Sequence, residues 1–414
     1  MLRPATTPPS LATLILMTGT SVLTLNMFVP SLAHMAGDFG VDYGVMSLSV
    51  GGYLAMTAVT QIIMGPLSDR YGRRPLVLIG MAIFCVASLI CAMTTDIRIF
   101  LAARMFQSGA AVGMALSRAM IRDQFEPREA AAKMATVSAI MGFAPMLGPS
   151  IGGFLDVAFG WRASFVLYSL AGASLFLICW FDVGETNHNK STSFGAQFRA
   201  YPELVRSRRF WGYSLCAASS VGTFHIFVSG AALATSAAFG MSPAELGVWM
   251  GTITLGFIIG SALSSRISRN YALSTMMIVG RAFAVVGIGV PLILLSLGFV
   301  SAPVFFGAMV MSGIGNGMTT PNAAAGTLSI RPHLAGSASG LSSALIVGNG
   351  AVVSTLTGAL VSGQNGIILL PLMMLLASIL GLALALMVRV IDRQEARAAQ
   401  ALAEAEAETA RAAE

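Results

Sequence analysis

The stretch GPLSDRYGRRP, Gly65–Pro75, gathers Asp69, Arg70, Arg73 and Arg74 into one short connection between two apolar runs. Each run is long enough for a helix to cross a bilayer core, which takes about 20 apolar residues. Positive charge between two such runs favours a cytoplasmic loop. Orientation alone requires neither the acid nor the glycines, so the stretch predicts a second role.

The composition of the chain excludes an ordinary soluble domain. Of its 414 residues, 56% are hydrophobic and only 10% are charged, and the mean hydropathy is +0.78. The net charge of +6 is spread over short loops between apolar runs, which fits membrane topology better than nucleic-acid binding. The four cysteines lie inside apolar runs without ligand-like spacing. We therefore expect a polytopic helical membrane protein without a metal site.

Hydropathy and turn signals predict twelve membrane helices. Their expected ranges are 11–33, 45–65, 75–94, 98–121, 131–155, 163–183, 210–236, 245–265, 273–298, 302–325, 335–361 and 366–390. We expect four segments in the chain: a first six-helix bundle at 1–183, a cytoplasmic linker at 184–209, a second six-helix bundle at 210–390 and a cytoplasmic tail at 391–414.

Lysine and arginine are distributed unevenly between the two sets of loops. With the N-terminus inside, only Arg98 and Arg162 fall in outside loops, whereas most other basic residues fall in inside segments. The positive-inside rule therefore predicts that both termini are cytoplasmic. No small-residue cleavage site follows the first apolar run, which we interpret as a retained helix.

The second half of the chain echoes the first. Small residues spaced four apart on the fifth helix recur on the eleventh: Ala144, Gly148 and Gly152 against Gly340, Ala344 and Gly348. Asp69-Arg70 likewise recurs as Ser265-Arg266. An ordered echo of this kind predicts two related bundles.

Three motifs carry a resemblance to a known family. GPLSDRYGRR resembles the signature between the second and third helices of the major facilitator superfamily. RMFQSGAAVG resembles the arginine-containing motif of its fourth helix, and APMLGPSIGG is similar to the fifth-helix motif of its proton-driven antiporters. Within the superfamily, the chain most resembles the twelve-helix drug:proton antiporter group of the Bcr/CflA type. The resemblance implies an all-α membrane protein with the major facilitator fold: two pseudo-symmetric six-helix bundles around a central cavity.

The same resemblance implies export of small amphiphilic compounds or drugs across the bacterial inner membrane, with a proton as coupling ion and alternating access. The chain departs from the type at LTLNMFVP, where Asn26 stands in place of a frequent acid, and no predicted helix centre holds Asp or Glu. Histidine titrates near neutral pH, so His225 is either a proton carrier or a packing residue. A facilitator or importer of a specific metabolite is the alternative, and a non-transporting membrane sensor is a further one.

Arg104 is the most informative single position for a cavity. A cation in mid-membrane costs about 2.5 to 3.5 kcal/mol, so it should meet polar partners in the bundle interior. We expect polar residues of the membrane helices to line the cavity: Asn26, Tyr53, Arg104, Gln107, His225, Asn316, Asn322 and Asn349. An arginine without a buried acid favours neutral or anionic amphiphiles. No role is predicted for Arg281, which lies on a helix that the resemblance places at the periphery.

The remaining motif residues are predicted to control movement of the bundles. We expect a cytoplasmic gate that stabilises one arrangement of the two bundles: Gly65, Asp69, Arg70, Gly72, Arg73 and Arg74. Small residues allow close helix approach, which predicts an interface between the halves. Its expected residues are Gly148, Pro149, Gly152, Gly153, Gly340, Ala344 and Gly348.

Other classes of function lack support in the sequence. It contains no G-x-x-x-x-G-K-[ST] segment and no clustered catalytic or metal-ligating residues. We expect no enzyme activity, no cofactor and no nucleic-acid partner. The expected partners are a small-molecule substrate, a coupling proton and the lipid bilayer, and the chain is expected to act as a monomer.

Overall fold

The computed structural model describes residues 5, 7–126, 129–130, 133–134, 136–137, 144–187, 201–268, 271–331, 334–363 and 365–412. For 201, 335, 336, 396 and 398–412 it describes the backbone alone. The described residues form helices and short connections, with no strand among them. Parts of the expected fifth helix and of the expected linker therefore lie outside the described residues.

The described part of the first half contains six long helices. Helix α1 runs over Leu11–Asn26, passes through a 3-10 turn at Val29–Ser31 and continues as Leu32–Phe39. The following helices are α2 (Tyr43–Tyr71), α3 (Arg73–Met93), α4 (Ile97–Gln124), α5 (Ala144–Phe159) and α6 (Arg162–Asp182).

The second half begins with a short helix at Tyr201–Arg206. The long helices are α7 (Arg208–Phe239), α8 (Pro243–Ile267), α9 (Leu273–Ser296), α10 (Ala302–Ser329), α11 (Ala335–Leu360) and α12 (Gly366–Ala412). Helix α12 passes the expected end at residue 390 without a break. The Ala-, Glu- and Arg-rich segment beyond that point has high helix propensity, which explains the continuation.

Length and hydropathy agree with a membrane protein. Among the described residues, ten helices are long and apolar enough to cross a membrane. Helices α5, described over 16 residues, and α10 complete the predicted set of twelve. The predicted fold class is thus confirmed.

The expected loop at Gly65–Pro75 is reduced to a single residue. Helix α2 continues through Pro66 to Tyr71, and α3 begins at Arg73. Only Gly72 leaves the helical conformation, with φ of 102°, a region that favours glycine. Membrane helices tolerate an internal proline when neighbours compensate for the lost hydrogen bond, so Gly65-Pro66 does not end α2.

The first helix of each half ends in the same way. Gly40 after α1 and Gly240 after α7 both end their helices in the left-handed conformation, with φ of 63°. We call the end of the bundle that holds Gly72 the basic face, and the end that holds Gly40 and Gly240 the opposite face. The exact division of the chain into bundles, linker and tail stays a prediction.

Candidate functional site: a cavity between the two halves

On the opposite face, α2 of the first half closes against the second half. A side-chain carbon added to Gly44 would lie 3.1 Å from the carbonyl oxygen of Gly358, and one added to Gly358 would overlap Ser47. Tyr43 Oη donates a hydrogen bond of 2.7 Å to the carbonyl oxygen of Ser229 on α7. Because backbones meet here without intervening side chains, this end of the seam is sealed.

A second contact across the halves joins α5 to α8. A carbon added to Gly153 would overlap the carbonyl of Pro243, and one added to Gly247 would overlap the carbonyl of Pro149. Ser150 Oγ donates a hydrogen bond of 3.0 Å to the carbonyl oxygen of Gly247. Glycines on both helices therefore permit a backbone-to-backbone approach between the halves.

On the basic face, the halves leave a cavity of about 410 Å³ between α2, α4 and α11. A carbon added to Gly340 or Gly348 of α11 would meet no described atom within 4 Å. Polar or small residues of both halves line this cavity: Gln61, Gly65, Asp69, Arg73, Arg118, Arg122, Ser339, Gly340 and Ser343. The seam is thus closed at one end and open at the other.

The predicted gate residues Asp69 and Arg73 lie in the wall of this cavity and pair with each other. Arg73 Nη1 is 2.7 Å from Asp69 Oδ1, and its Nε is 3.2 Å from Asp123 Oδ2 on α4. The Arg70 guanidinium lies 5.5 Å from the ring centre of Tyr71. In this conformation the Arg73 contacts bind α2, α3 and α4 of the first half to one another.

A carboxylate that follows α6 caps the start of α3. Glu185 accepts hydrogen bonds from the backbone amides of Arg73 at 2.8 Å and Arg74 at 3.3 Å. A carbon added to Gly72 would overlap this carboxylate. Arg74 Nε donates to the carbonyl oxygen of Val183 at 2.8 Å. Since helix N-termini favour anions, this contact fastens the end of α6 to the α2–α3 turn.

Arg104 is fully buried within the first half, outside the wall of the open cavity. Its guanidinium donates to Gln107 Oε1 and to backbone carbonyls of α1 and α2, and lies 4.2 Å and 4.6 Å from the ring centres of Phe28 and Tyr53. Gln107 Nε2 in turn donates to Ser88 Oγ at 2.8 Å. No carboxylate among the described residues lies within 4 Å of this arginine. Three predicted cavity residues therefore lie together in a packed polar cluster: Tyr53, Arg104 and Gln107.

The second half contains its own buried cluster, centred on Arg281. Arg281 Nε donates to Thr319 Oγ1 at 2.9 Å and its Nη2 donates to Asn316 Oδ1 at 2.6 Å. Asn316 Nδ2 donates to Thr223 Oγ1 at 3.0 Å, and Ser220 Oγ donates to Asn316 Oδ1 at 2.8 Å. Arg281, for which the sequence predicted no role, thus connects α9 to α10 and α7.

The other predicted cavity residues of the second half make packing contacts. His225 Nδ1 lies 3.1 Å from a carbonyl oxygen of its own helix, and its ring packs against Gly350. Asn322 Nδ2 donates to Ser264 Oγ at 2.7 Å, and Asn349 Nδ2 donates to a backbone carbonyl of α7 at 2.8 Å. The cavity wall contains none of the eight predicted positions, because the closed opposite face confines the opening to the basic face.

Comparison with known proteins decides the family. The profile of the Major Facilitator Superfamily matches residues 14–354. The chain belongs to the Major Facilitator Superfamily. The predicted resemblance is therefore confirmed, and the family and fold are those of membrane transporters of small molecules.

Three similar proteins illustrate this membership. The chain is 27% identical to the chloramphenicol resistance protein of Pseudomonas aeruginosa over 316 residues, which cover 76% of this chain and 75% of that protein. It is 27% identical to the bicyclomycin resistance protein homolog of Haemophilus influenzae over 345 residues, with 81% and 85% covered. A solved structure of a bacterial homolog to the human lysosomal transporter Spinster, inward-facing and occupied, is similar with a TM-score of 0.73 at 15% identity, covering 92% of this chain and 96% of that one.

The small residues of α5 face two directions. A carbon added to Gly152 would overlap the backbone of Met27 on α1, and one added to Gly148 would lie 3.7 Å from Asn26 Cβ. Asn26 is buried, its Nδ2 donates to its own helix, and its Oδ1 has no partner among the described residues. Gly148 and Gly152 therefore pack inside the first half, whereas Pro149 and Gly153 meet the second. Ala344 on α11 is buried.

A buried acid lies near the end of α5 on the opposite face. Asp156 Oδ1 is 2.8 Å from His34 Nδ1, and its Oδ2 has no partner among the described residues. Nearby, Trp161 Nε1 donates to Asp38 Oδ2 at 2.7 Å. The sequence places Asp156 next to a loop, so its burial was not predicted.

Two further contacts were not predicted from the sequence because they join distant parts of the chain. Asp123 lies in the last turn of α4 and Glu185 in the polar segment after α6, where single acids look like solvent-exposed loop residues. One signal for Glu185 was available. The first turn of α3 carries two arginines and no acid, so its N-terminus needs an anion from elsewhere.

Proposed function

We propose that this transporter exports small amphiphilic compounds, antibiotics among them, by proton antiport with alternating access. The asymmetry of the seam carries the proposal: backbones of the two halves meet on the opposite face, while a cavity opens on the basic face. A compound entering that cavity can leave on the other side only when the halves tilt into the reverse arrangement. Relatives named for resistance to chloramphenicol and bicyclomycin support export as the direction.

The basic face is proposed to lie in the cytoplasm of a bacterial inner membrane. The distribution of lysine and arginine supports this orientation, with both termini inside. The proposed moving units are the two six-helix bundles at 1–183 and 210–390. The chain is proposed to act as a monomer and to have no enzymatic activity.

Everted membrane vesicles test the export proposal, with chloramphenicol as the probe. In everted vesicles the proposed cytoplasmic face is outside. Vesicles containing the chain should therefore accumulate chloramphenicol when their lumen is acidified, because protons that leave the lumen are exchanged for the compound. Nigericin, which collapses the pH gradient, should abolish the accumulation. Vesicles from the same host without the chain provide the background. Accumulation that is absent with the gradient present would contradict export by antiport.

A facilitator that does not use protons is the second candidate. One observation favours it: among the described residues, no carboxylate lies at the centre of a membrane helix, and the buried Asp156 lies near a helix end. This candidate predicts that chloramphenicol equilibrates across the vesicle membrane at the same rate with and without nigericin.

A further inference from the structure

The cavity on the basic face carries an uneven set of charges. Among the residues that the structure describes, its wall contains three arginines, Arg73, Arg118 and Arg122, and one acid, Asp69. Arg73 is largely buried and is neutralised by Asp69 and by Asp123 of α4. Two positive charges of the wall, at Arg118 and Arg122, are left without that compensation.

Arg118 and Arg122 lie one helical turn apart on α4. Both are exposed, and neither has a carboxylate within 4 Å among the residues that the structure describes. Like charges at this spacing repel each other, so the pair is unfavourable in an empty cavity. The positive-inside rule accounts for arginines at this face, but it does not require two of them in one cavity wall.

The rest of the wall suits the apolar part of a ligand. Met114 and Ala115 lie one turn deeper on α4, and Ile346 and Val347 face them from α11. The α11 wall also contains hydroxyl groups at Ser339 and Ser343. The cavity therefore combines a cationic rim, hydrogen-bond donors and an apolar interior.

We propose that Arg118 and Arg122 bind the anionic group of an amphiphile, a carboxylate, sulfonate or phosphate, whose apolar body occupies the inner wall. This inference rests on the proposed function and adds a preference within its substrate class: anionic amphiphiles bind more tightly than cationic ones, beside neutral compounds such as chloramphenicol. Guanidinium groups bind such oxyanions through charge-assisted, often bidentate hydrogen bonds. The anionic head group of a membrane lipid has the same chemistry and is the second source of a ligand.

A matched series of pyrene probes tests the proposal: pyrenebutyrate, the neutral pyrenebutanol and the cationic pyrenebutyltrimethylammonium. The full chain is placed in phosphatidylcholine nanodiscs, and binding is followed by energy transfer from its tryptophans, with empty nanodiscs as the blank. Pyrenebutyrate should bind about tenfold more tightly than the cation, as expected for charge-assisted hydrogen bonds. Equal affinity for the anion and the cation would overturn the proposal.

Substitutions on one rim separate recognition from folding, because both arginines are exposed. R118Q and R122Q should each weaken pyrenebutyrate binding by about tenfold and leave pyrenebutanol binding unchanged, since one charged partner is lost. R118K keeps the charge and should stay within about threefold. R98Q, which removes a charge on the opposite face, should change nothing. The double variant R118E/R122E should prefer the cationic probe, and an unaltered preference in it would overturn the proposal.

Nanodiscs with added phosphatidylglycerol distinguish the two ligand sources. If a lipid head group occupies the site, this anionic lipid should weaken pyrenebutyrate binding to the wild type but not to R118Q. If a free amphiphile is the ligand, phosphatidylglycerol should have no arginine-dependent effect. The assay measures no flux, so loss of the anion preference refutes the inference alone, whereas failure of vesicle transport refutes the proposed antiport alone.

Discussion

At the scale of single residues, the buried Arg281 lies at a helix crossing whose counterpart in the first half contains no charge. Helices α3 and α4 cross at Gly80 and Gly109, and α9 and α10 cross at Gly280 and Gly315 with the same reciprocal backbone contact. The residue after the first glycine is a buried methionine in the first half and Arg281 in the second. Packing at this crossing thus accepts an apolar side chain, and the charge of Arg281 is additional.

The variant Arg281→Met tests whether that charge serves transport. We expect thermal stability in detergent to be unchanged or higher, because burial of the Arg281 cation without a described carboxylate within 4 Å costs desolvation free energy that methionine does not. Vesicle transport of chloramphenicol should fall by about tenfold if Arg281 organises Asn316 and Thr223 for function. Met81→Leu, at the equivalent crossing, is the control and should transport normally. Reduced stability with normal transport would assign Arg281 a structural role.

At the scale of helices, the glycines of α5 separate folding from movement. Gly152→Ala should destabilise the first half by about 1–3 kcal/mol, because its new carbon overlaps Met27 within the same half. Gly153→Ala should leave that half intact and shift the equilibrium toward opening on the opposite face, because its carbon overlaps Pro243 of the other half. Gly340→Ala, which meets no described atom within 4 Å, is the matched control.

Labelling of a single cysteine measures that shift. Ser47→Cys, buried in the seam, is introduced into a chain whose four native cysteines are replaced. We expect a membrane-impermeant maleimide to react faster in the Gly153→Ala background than in the Gly340→Ala background. Equal rates would show that the α5–α8 contact does not hold the opposite face closed.

The start of α3 offers a further test at the same scale. Glu185→Gln removes the negative charge that faces the first amides of α3, and we expect a loss of about 1 kcal/mol in local stability. Hydrogen exchange at Arg73 and Arg74 should accelerate accordingly. Glu126→Gln, an exposed acid near the same face, is the control. Unchanged hydrogen exchange in Glu185→Gln would show that the charge of Glu185 does not stabilise the α2–α3 turn.

At the scale of the whole molecule, local sequence signals predicted the fold better than the site. Each of the twelve membrane helices is marked by an apolar segment of the sequence, so the helices could be predicted. The hydrogen bond of Arg104 with Gln107 is also a local feature, since both residues lie on α4. Asp123, Glu185 and Arg281 acquire their partners only when distant helices pack, so no spacing in the chain reveals them. The different directions that Gly152 and Gly153 face were equally hidden, because adjacent positions on one helix face different neighbours.

The open cavity lies at the basic face, away from the predicted cavity residues, because the opposite face is closed in this state of the molecule. The predicted cavity residues lie at mid-helix, and their side chains now make contacts within their own half. Polar positions can be recognised in a sequence, but a sequence does not state which end of the seam is open. The buried clusters around Arg104 and Asn316 are therefore expected to gain solvent contact only when the opposite face opens.

Electron paramagnetic resonance distances across both ends of the seam test the alternating movement most directly. One spin-label pair, at Val45 and Leu360, spans the opposite face, and the other, at Tyr71 and Gly340, spans the basic face. During turnover with chloramphenicol and a pH gradient, we expect a second population whose distance is longer across the first pair and shorter across the second, in equal proportion. A single unchanged distance at both pairs, in protein that transports, would rule out the alternating movement.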